Sequence, residues 1–195
     1  MILVVENFLS ENECKRIVEN YSTLVEPVLT GERLDNQGNA ISQDISDYHR
    51  KTDICIFTDN NLRNRILNKL VENSNFKLSN INKEESFQFL RYKETGHFAW
   101  HNDLTSSKEF MTAIIYLNNN YDGGNLQYRE NKEIKTFLKD TGSLVIFPAS
   151  LSHKVTKVTK GIRYSIVTWI YNKPNILICK FVICIKVIII IIIII

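Results

Sequence analysis

His101, Asp103, His153 and Arg163 are the residues of this chain whose types and spacing can do chemistry together. His101 and Asp103 stand two apart, and on an extended strand such residues project from one face, so both can grip one cation. His153 follows fifty residues after Asp103 in the strand-like run Ser152-His153-Lys154-Val155, and Pro148 to Ser152 reads as the turn that presents it. Two imidazoles and one carboxylate on one side of an ion make the facial triad, whose remaining open positions suit a non-heme Fe(II) taking both a cosubstrate and O₂. His-x-Asp alone arises by chance in many chains, and a strand-face histidine with a nearby acid is its plain reading. Arg163, ten residues past His153, sharpens the pattern. A dicarboxylate that chelates a metal by one end needs a cation at the other, and a guanidinium holds a carboxylate bidentately.

Helices come first among the elements that must position these residues. Ser10 with Glu13 forms a capping-box pattern, and Cys14, Ile17, Val18 and Tyr21 follow at helical spacing, which predicts a helix over 11–21 whose apolar stripe packs on a sheet. Asp59 or Asn60 caps a second, with Leu62, Ile66, Leu67 and Leu70 on one face up to Val71. Gly31 to Asp47 is polar and aperiodic and reads as a long loop, and Tyr48 to Phe57 reads as one strand. Beyond Phe76 short apolar strands alternate with turns: 87–92, 98–102, 111–117, 125–129, 135–137, 143–147, 153–155 and 164–171. Helices followed by about eight strands predict a mainly β protein with supporting helices (α+β). The architecture expected is a double-stranded β-helix, or jelly roll, with the N-terminal helices packed on one sheet. Metal sites in such barrels sit at the open end.

From Phe87 to Tyr171 the chain resembles the prolyl 4-hydroxylase-like branch of the 2-oxoglutarate and Fe(II)-dependent oxygenases, and within it the PKHD-type hydroxylases. The resemblance rests on Tyr92 nine residues before His101, Gly96 five before it, Thr112 ahead of Tyr116-Leu117, and the turn Asp122-Gly123-Gly124. It continues through the apolar run Gly142 to Phe147, the stretch from His153 to Arg163, and Trp169 six residues later. Arg50-x-Thr52 upstream also matches a family pattern. The chain departs from that pattern at Thr95, Phe98 and Asn125, where the family commonly has glycine, tyrosine and an acid. Arg163 in place of lysine points away from the collagen-type enzymes.

The resemblance implies the same jelly roll, with His101, Asp103 and His153 as iron ligands. It implies Arg163 on the far carboxylate of 2-oxoglutarate, with Tyr92 and Thr112 donating hydroxyl hydrogens to the same group. Trp169 is read as a wall of that pocket, with a core tryptophan as the equal alternative. His97, four before His101, would share its face on a regular strand and is read as a rim residue; His49 is read as a surface or strand-face residue. The implied reaction hydroxylates an unactivated C–H while 2-oxoglutarate is decarboxylated to succinate and CO₂, with ascorbate as an accessory reductant. The substrate is a peptide or protein residue, proline first, and the Gly31–Asp47 stretch is expected to act as a lid over it. A free small molecule is the second reading, and an inactive jelly-roll binding module the third. A nucleic-acid demethylase is disfavoured, because the Arg-x-Asn-x-Thr-x-x-Arg run of that kind is absent.

At 195 residues and 44% apolar content the chain suffices for one domain with a substantial core. A formal charge of +3 without a basic block gives no reason to expect nucleic acid as a partner. Cys14, Cys55, Cys179 and Cys184 show no metal or pairing spacing, and Glu6 and Asn7 interrupt the first apolar run, so a cytoplasmic protein without a signal peptide is expected. The oxygenase domain is assigned to residues 1–174 and an apolar low-complexity tail to 175–195. That tail is long enough for a membrane anchor, but Lys180 and Lys186 oppose insertion, and low-complexity sequence is the favoured reading.

Overall fold

Ser10 caps the first helix, α1 (Glu11–Tyr21), with its side chain accepting from the Glu13 N–H while Glu13 accepts from the Ser10 N–H at 2.8 Å. Asp59 caps α2 (Asn60–Glu72) by accepting from Leu62. The computed structural model describes residues 1–27, 30–34, 40–44, 49–81, 86–104 and 109–171. The tail from Asn175 lies outside the described residues. Among those described, no helix is long and apolar enough to cross a membrane.

In chain order the first strands are β1 (Leu3–Val5), β2 (Glu26–Pro27), β3 (Thr30–Leu34), β4 (Ala40–Asp44), β5 (Arg50–Lys51), β6 (Asp53–Phe57), β7 (Phe87–Tyr92) and β8 (His97–His101). They are followed by β9 (Glu109–Tyr116), β10 (Asp122–Gly123), β11 (Leu126–Glu130), β12 (Glu133–Thr136), β13 (Leu144–Pro148), β14 (His153–Val155), β15 (Val158–Lys160) and β16 (Arg163–Tyr171). Among the described residues every pairing is antiparallel. A major sheet runs β1-β13-β9-β16-β7-β6-β2 and a smaller one β12-β11-β14-β8-β5. This is the jelly roll expected, with both helices on the outer face of the major sheet.

Strand alternation divides the apolar residues between two cores. Phe87 and Phe89 of β7, Met111, Ala113 and Ile115 of β9, and Ile166 and Ile170 of β16 pack against Cys14 of α1 and Leu62, Ile66, Leu67 and Leu70 of α2. The opposite faces send Leu90, Tyr92, Ile114, Tyr116 and Val167 between the sheets, where Leu126, Phe137 and Val155 meet them. The first core fixes the helices to the scaffold; the second surrounds the cleft.

Two expectations are corrected. Residues Gly31–Asp47 were expected to form a loop, but 30–34 and 40–44 pair with each other as a two-stranded hairpin. Its strands are mostly polar, so no apolar alternation marks them, and the lid expected there falls partly on residues outside those described. The single strand expected over Tyr48–Phe57 is two: β5 pairs with β8 in the small sheet, whereas β6 pairs with β7 in the large one. The chain changes sheets at Thr52, whose buried hydroxyl donates to the Arg91 carbonyl at 3.1 Å.

Glu13 also ties the two helices together. Arg65 of α2 donates to it at 2.6 Å and, with its other terminal nitrogen, to the Phe8 carbonyl at 2.6 Å. The Ser10 backbone N–H foremost, and then Arg65, lower the Glu13 carboxyl from 4.5 to about 2. A carboxylate depressed in the folded state stabilises above its unfolded value, and that contribution fades as pH falls through the folded value. Glu13→Ala is therefore expected to cost about 1–2 kcal/mol near pH 7. Urea denaturation should show the deficit shrinking between pH 4.5 and pH 2, the interval of the shift.

Candidate active site

The metal-ligand candidates come from the small sheet. His153 of β14 pairs directly with His101 of β8, but the next registered pair is Val155 with Phe98, so three steps along β8 match two along β14. This bulge inverts the alternation. It places Phe98 on the same inner side as His101, with their rings stacked at 3.6 Å between centroids, and both line the cleft. His97 therefore does not share the face of His101, as a regular strand would require; its Nδ1 lies 3.0 Å from the Thr95 carbonyl. His49 is exposed and meets Phe98 edge-on at 5.6 Å.

Asp103 lies just past the end of β8, where its backbone N–H donates to the Ala149 carbonyl at 2.9 Å. That bond ties it to the turn ahead of β14. His101 Nε2 stands 3.7 Å from Asp103 Oδ1, and His153 Nε2 stands 3.6 Å from Asp103 Oδ2. The three residues offer ligand atoms all within 4.8 Å of one another, a cluster that could hold a metal ion. Each imidazole directs Nδ1 at a carbonyl two residues back, Ala99 and Leu151, both at 2.8 Å. Donation from Nδ1 leaves the Nε2 lone pairs facing Asp103, the tautomer a ligand needs. Burial, and then the neighbouring His153, push His101 from 6.5 down to about 3, so it is neutral at neutral pH.

Arg163 stands elsewhere in the same cleft, which encloses about 430 Å³ including space open to solvent. On β16, Arg163, Ser165, Val167 and Trp169 alternate onto the inner face and line it, as do Gln88, Leu90 and Tyr92 of β7. Arg163 and Tyr92 are register partners, with the guanidinium carbon 5.0 Å from the Tyr92 ring and 5.5 Å from that of Tyr116. Arg163 is 1% exposed and donates to Ser165 at 2.9 Å. Its Nε and the hydroxyls of Tyr116 and Tyr121 are buried without hydrogen-bond partners, and no carboxylate pairs with it among the described residues. Burial pushes both tyrosines above their ordinary range, so they remain donors. A buried cation ringed by idle donors fits the carboxylate of an anionic ligand.

Gly124 lets this chamber close. Its φ is +58°, and a Cβ there would meet the Arg163 Cδ at 3.1 Å and the Tyr121 ring at 3.0 Å. Thr95 carries the opposite burden, holding φ at 69° without being glycine, at a cost of about 1–2 kcal/mol.

Of the residues singled out by sequence, His101, Asp103 and His153 come together, and Tyr92, Arg163 and Trp169 line the same cleft. Thr112 makes a contact that the sequence reading did not include. Its hydroxyl donates to Asp103 Oδ2 at 2.6 Å, so its one hydrogen is directed at that carboxylate rather than into the Arg163 chamber. Sequence reading also missed Tyr116 and Tyr121 as members of that chamber. Tyr116 shares strand parity with Ile114, a cleft-lining residue on β9, and that parity could have found it.

The fold and the site together define a jelly-roll protein with a two-histidine, one-carboxylate cluster and a separate seat for an anion. Residues 87–171 match the 2OG-Fe(II) oxygenase superfamily. The chain is 28% identical over 183 residues to a PKHD-type hydroxylase of Pseudoalteromonas atlantica, covering 87% of this chain and 78% of that one. It is 25% identical over 189 residues to a PKHD-type hydroxylase of Crocosphaera subtropica, covering 88% and 79%. Among solved structures, a Pseudomonas putida prolyl-4-hydroxylase superposes with a TM-score of 0.65 at 15% identity, over 89% of this chain and 93% of that one. A Trichoplax adhaerens prolyl hydroxylase, in complex with a peptide fragment of the hypoxia inducible factor oxygen degradation domain, does so with a TM-score of 0.66 at 15% identity, over 88% and 83%. The family match, the PKHD-type relatives and the shared fold together support a 2-oxoglutarate- and Fe(II)-dependent oxygenase of the PKHD type, a dioxygenase enzyme.

Proposed function

We propose that this enzyme hydroxylates an unactivated C–H of a peptide or protein residue, a prolyl residue first. In this reading His101, Asp103 and His153 hold the Fe(II), and Arg163 receives the distal carboxylate of 2-oxoglutarate, with Tyr92, Tyr116 and Tyr121 as neighbouring donors. The observation that carries it is Arg163, a fully buried guanidinium with an orphaned Nε in the cleft that the His-Asp-His cluster also lines. The peptide substrate rests on the PKHD-type and prolyl hydroxylase relatives, and ascorbate as accessory reductant on the family resemblance alone. The catalytic unit is residues 1–174.

Bound Fe(II), 2-oxoglutarate and O₂ supply the oxidising chemistry, with succinate and CO₂ as co-products. The chain itself positions, insulates and keeps protonation states fixed. With Nδ1 held by the Ala99 and Leu151 carbonyls, His101 and His153 turn Nε2 toward Asp103. Arg163 stays charged, and its bond to Ser165 limits the directions it can take. Leu90, Ile114, Leu126, Val155 and Val167 make the cleft walls apolar and limit water, which strengthens the pull between the arginine and an incoming carboxylate. Trp169 closes the wall beside them.

The test is an anaerobic titration of the full chain with Fe(II) and then 2-oxoglutarate, followed by visible absorption. A metal-to-ligand charge-transfer band that needs both additions is expected. Its absence, with both present in excess, would overturn the reading.

A further inference from the structure

Each of the three clustered residues has an outer partner that fixes its direction, and the partner of Asp103 is of a different kind from the other two. His101 and His153 are each held through Nδ1 by a carbonyl of their own segment, Ala99 and Leu151. Those bonds follow from the backbone and need no particular side chain. Asp103 stands beyond the end of its strand, in the irregular stretch 102–104, where the backbone bond to Ala149 fixes its Cα but not its carboxylate plane. The hydroxyl of Thr112 supplies that constraint at 2.6 Å.

Thr112 is built for this. It is 0% exposed on β9, an interior strand of the major sheet, with Phe147 of β13 and Trp169 of β16 as its register partners. A β-branched side chain in such a place has little rotamer freedom. A carboxylate is an acceptor only, so the threonine donates and the bond is charge-assisted. It engages Oδ2, leaving Oδ1 as the oxygen without a hydrogen-bond donor in this contact.

We propose that Thr112 is a positioning residue: its hydroxyl pins Asp103 Oδ2 so that Asp103 binds the metal through Oδ1 alone. The inference rests on the triad reading above and deepens it. Monodentate binding matters because a carboxylate that took two positions would remove one needed by the cosubstrate or O₂. It also gives Thr112 a different role from the cosubstrate contact that the family resemblance implies.

The experiment compares the full-length protein with its Thr112→Val, Thr112→Ala and Thr112→Ser variants. Anaerobic Fe(II) affinity is measured by competition with a chromophoric chelator, and the 2-oxoglutarate requirement by 2-oxoglutarate turnover at saturating Fe(II). Losing an outer partner of a ligand typically weakens metal binding about 10–100-fold, so Thr112→Val should show a loss of that size. Thr112→Ala removes the hydroxyl without adding bulk and should show the same loss, which keeps the test open if valine disturbs folding. Thr112→Ser keeps the donor and should restore affinity to within a few fold, which a merely structural role for the methyl group would not do. The 2-oxoglutarate KM should stay unchanged in all three variants. Unchanged Fe(II) affinity in the folded valine or alanine variant would overturn the inference. So would a raised 2-oxoglutarate KM with normal Fe(II) affinity, which would return Thr112 to the cosubstrate. Failure of the unsubstituted chain to bind Fe(II) would overturn the triad reading itself, and this inference with it.

Discussion

Asp103→Ala is expected to lower turnover to background, a larger loss than the roughly 10–100-fold typical of an outer partner of a metal ligand. Among the described residues Asp103 is the one carboxylate of the cluster, so its removal leaves two neutral donors and no anionic ligand to hold a cation that competes weakly for nitrogen sites. The anaerobic charge-transfer band should vanish in the variant at Fe(II) and 2-oxoglutarate concentrations that saturate the unsubstituted protein. The variant also leaves the buried Thr112 hydroxyl without its acceptor. An unsatisfied buried group costs about 1–3 kcal/mol, but the relief of separating a carboxylate from water offsets part of this. The metal-free variant should therefore melt close to the unsubstituted protein, which separates lost function from lost fold. A band of full intensity in Asp103→Ala would remove Asp103 from the metal site.

Arg163→Met is expected to separate stability from function in the opposite sense. Arg163 is the largest of the fully buried side chains, and no described carboxylate neutralises it. An uncompensated buried charge is costly, and an apolar replacement of similar volume commonly restores stability. The ligand-free variant should thus be at least as stable as the unsubstituted protein. Its 2-oxoglutarate requirement should rise on the order of 10²- to 10³-fold, matching the roughly 3–4 kcal/mol lost when one partner of a buried charge pair is removed. Arg163→Lys should recover part of that loss, because an ammonium restores the charge but not the bidentate fork. Thermal shift gives an independent reading: 2-oxoglutarate added to the metal-loaded protein should raise the melting temperature further in the unsubstituted protein and fail to do so in Arg163→Met at the same concentration. An equal rise in both proteins would take Arg163 away from the cosubstrate.

The relation between sequence and structure differs from element to element. Helix α1 was legible to the residue, because its capping box and its apolar spacing are both local. Strands β7 and β14 were equally plain, since apolar runs bounded by turns need no knowledge of their partners. The hairpin of β3 and β4 was not legible, because its strands pair with each other alone among the described residues and their sequence carries no apolar alternation. The division of 48–57 between two sheets was invisible for a further reason: changing sheets at Thr52 alters the partners and leaves the local extended pattern intact.

At the site, residue type and spacing by themselves determined the reading of His101, Asp103, His153 and Arg163, because metal ligation and carboxylate recognition each demand particular functional groups. The strand read over 164–171 begins one residue earlier, and its observed parity puts Arg163 and Trp169 on one face, a side the sequence reading left open for Trp169. Tertiary structure alone decided the rest. The bulge between β8 and β14 turned Phe98 onto the side of His101, a consequence of pairing register that no single strand encodes. The ring of tyrosines at Arg163 joins β7, the end of β9 and the turn before β10, and it forms only when the sheet brings them together. Thr112 lies nine residues from Asp103 in sequence, and only the approach of β9 to the end of β8 directs its hydroxyl to that carboxylate. A sequence lists which groups are available, whereas the direction of a hydrogen bond depends on where two backbones finally lie.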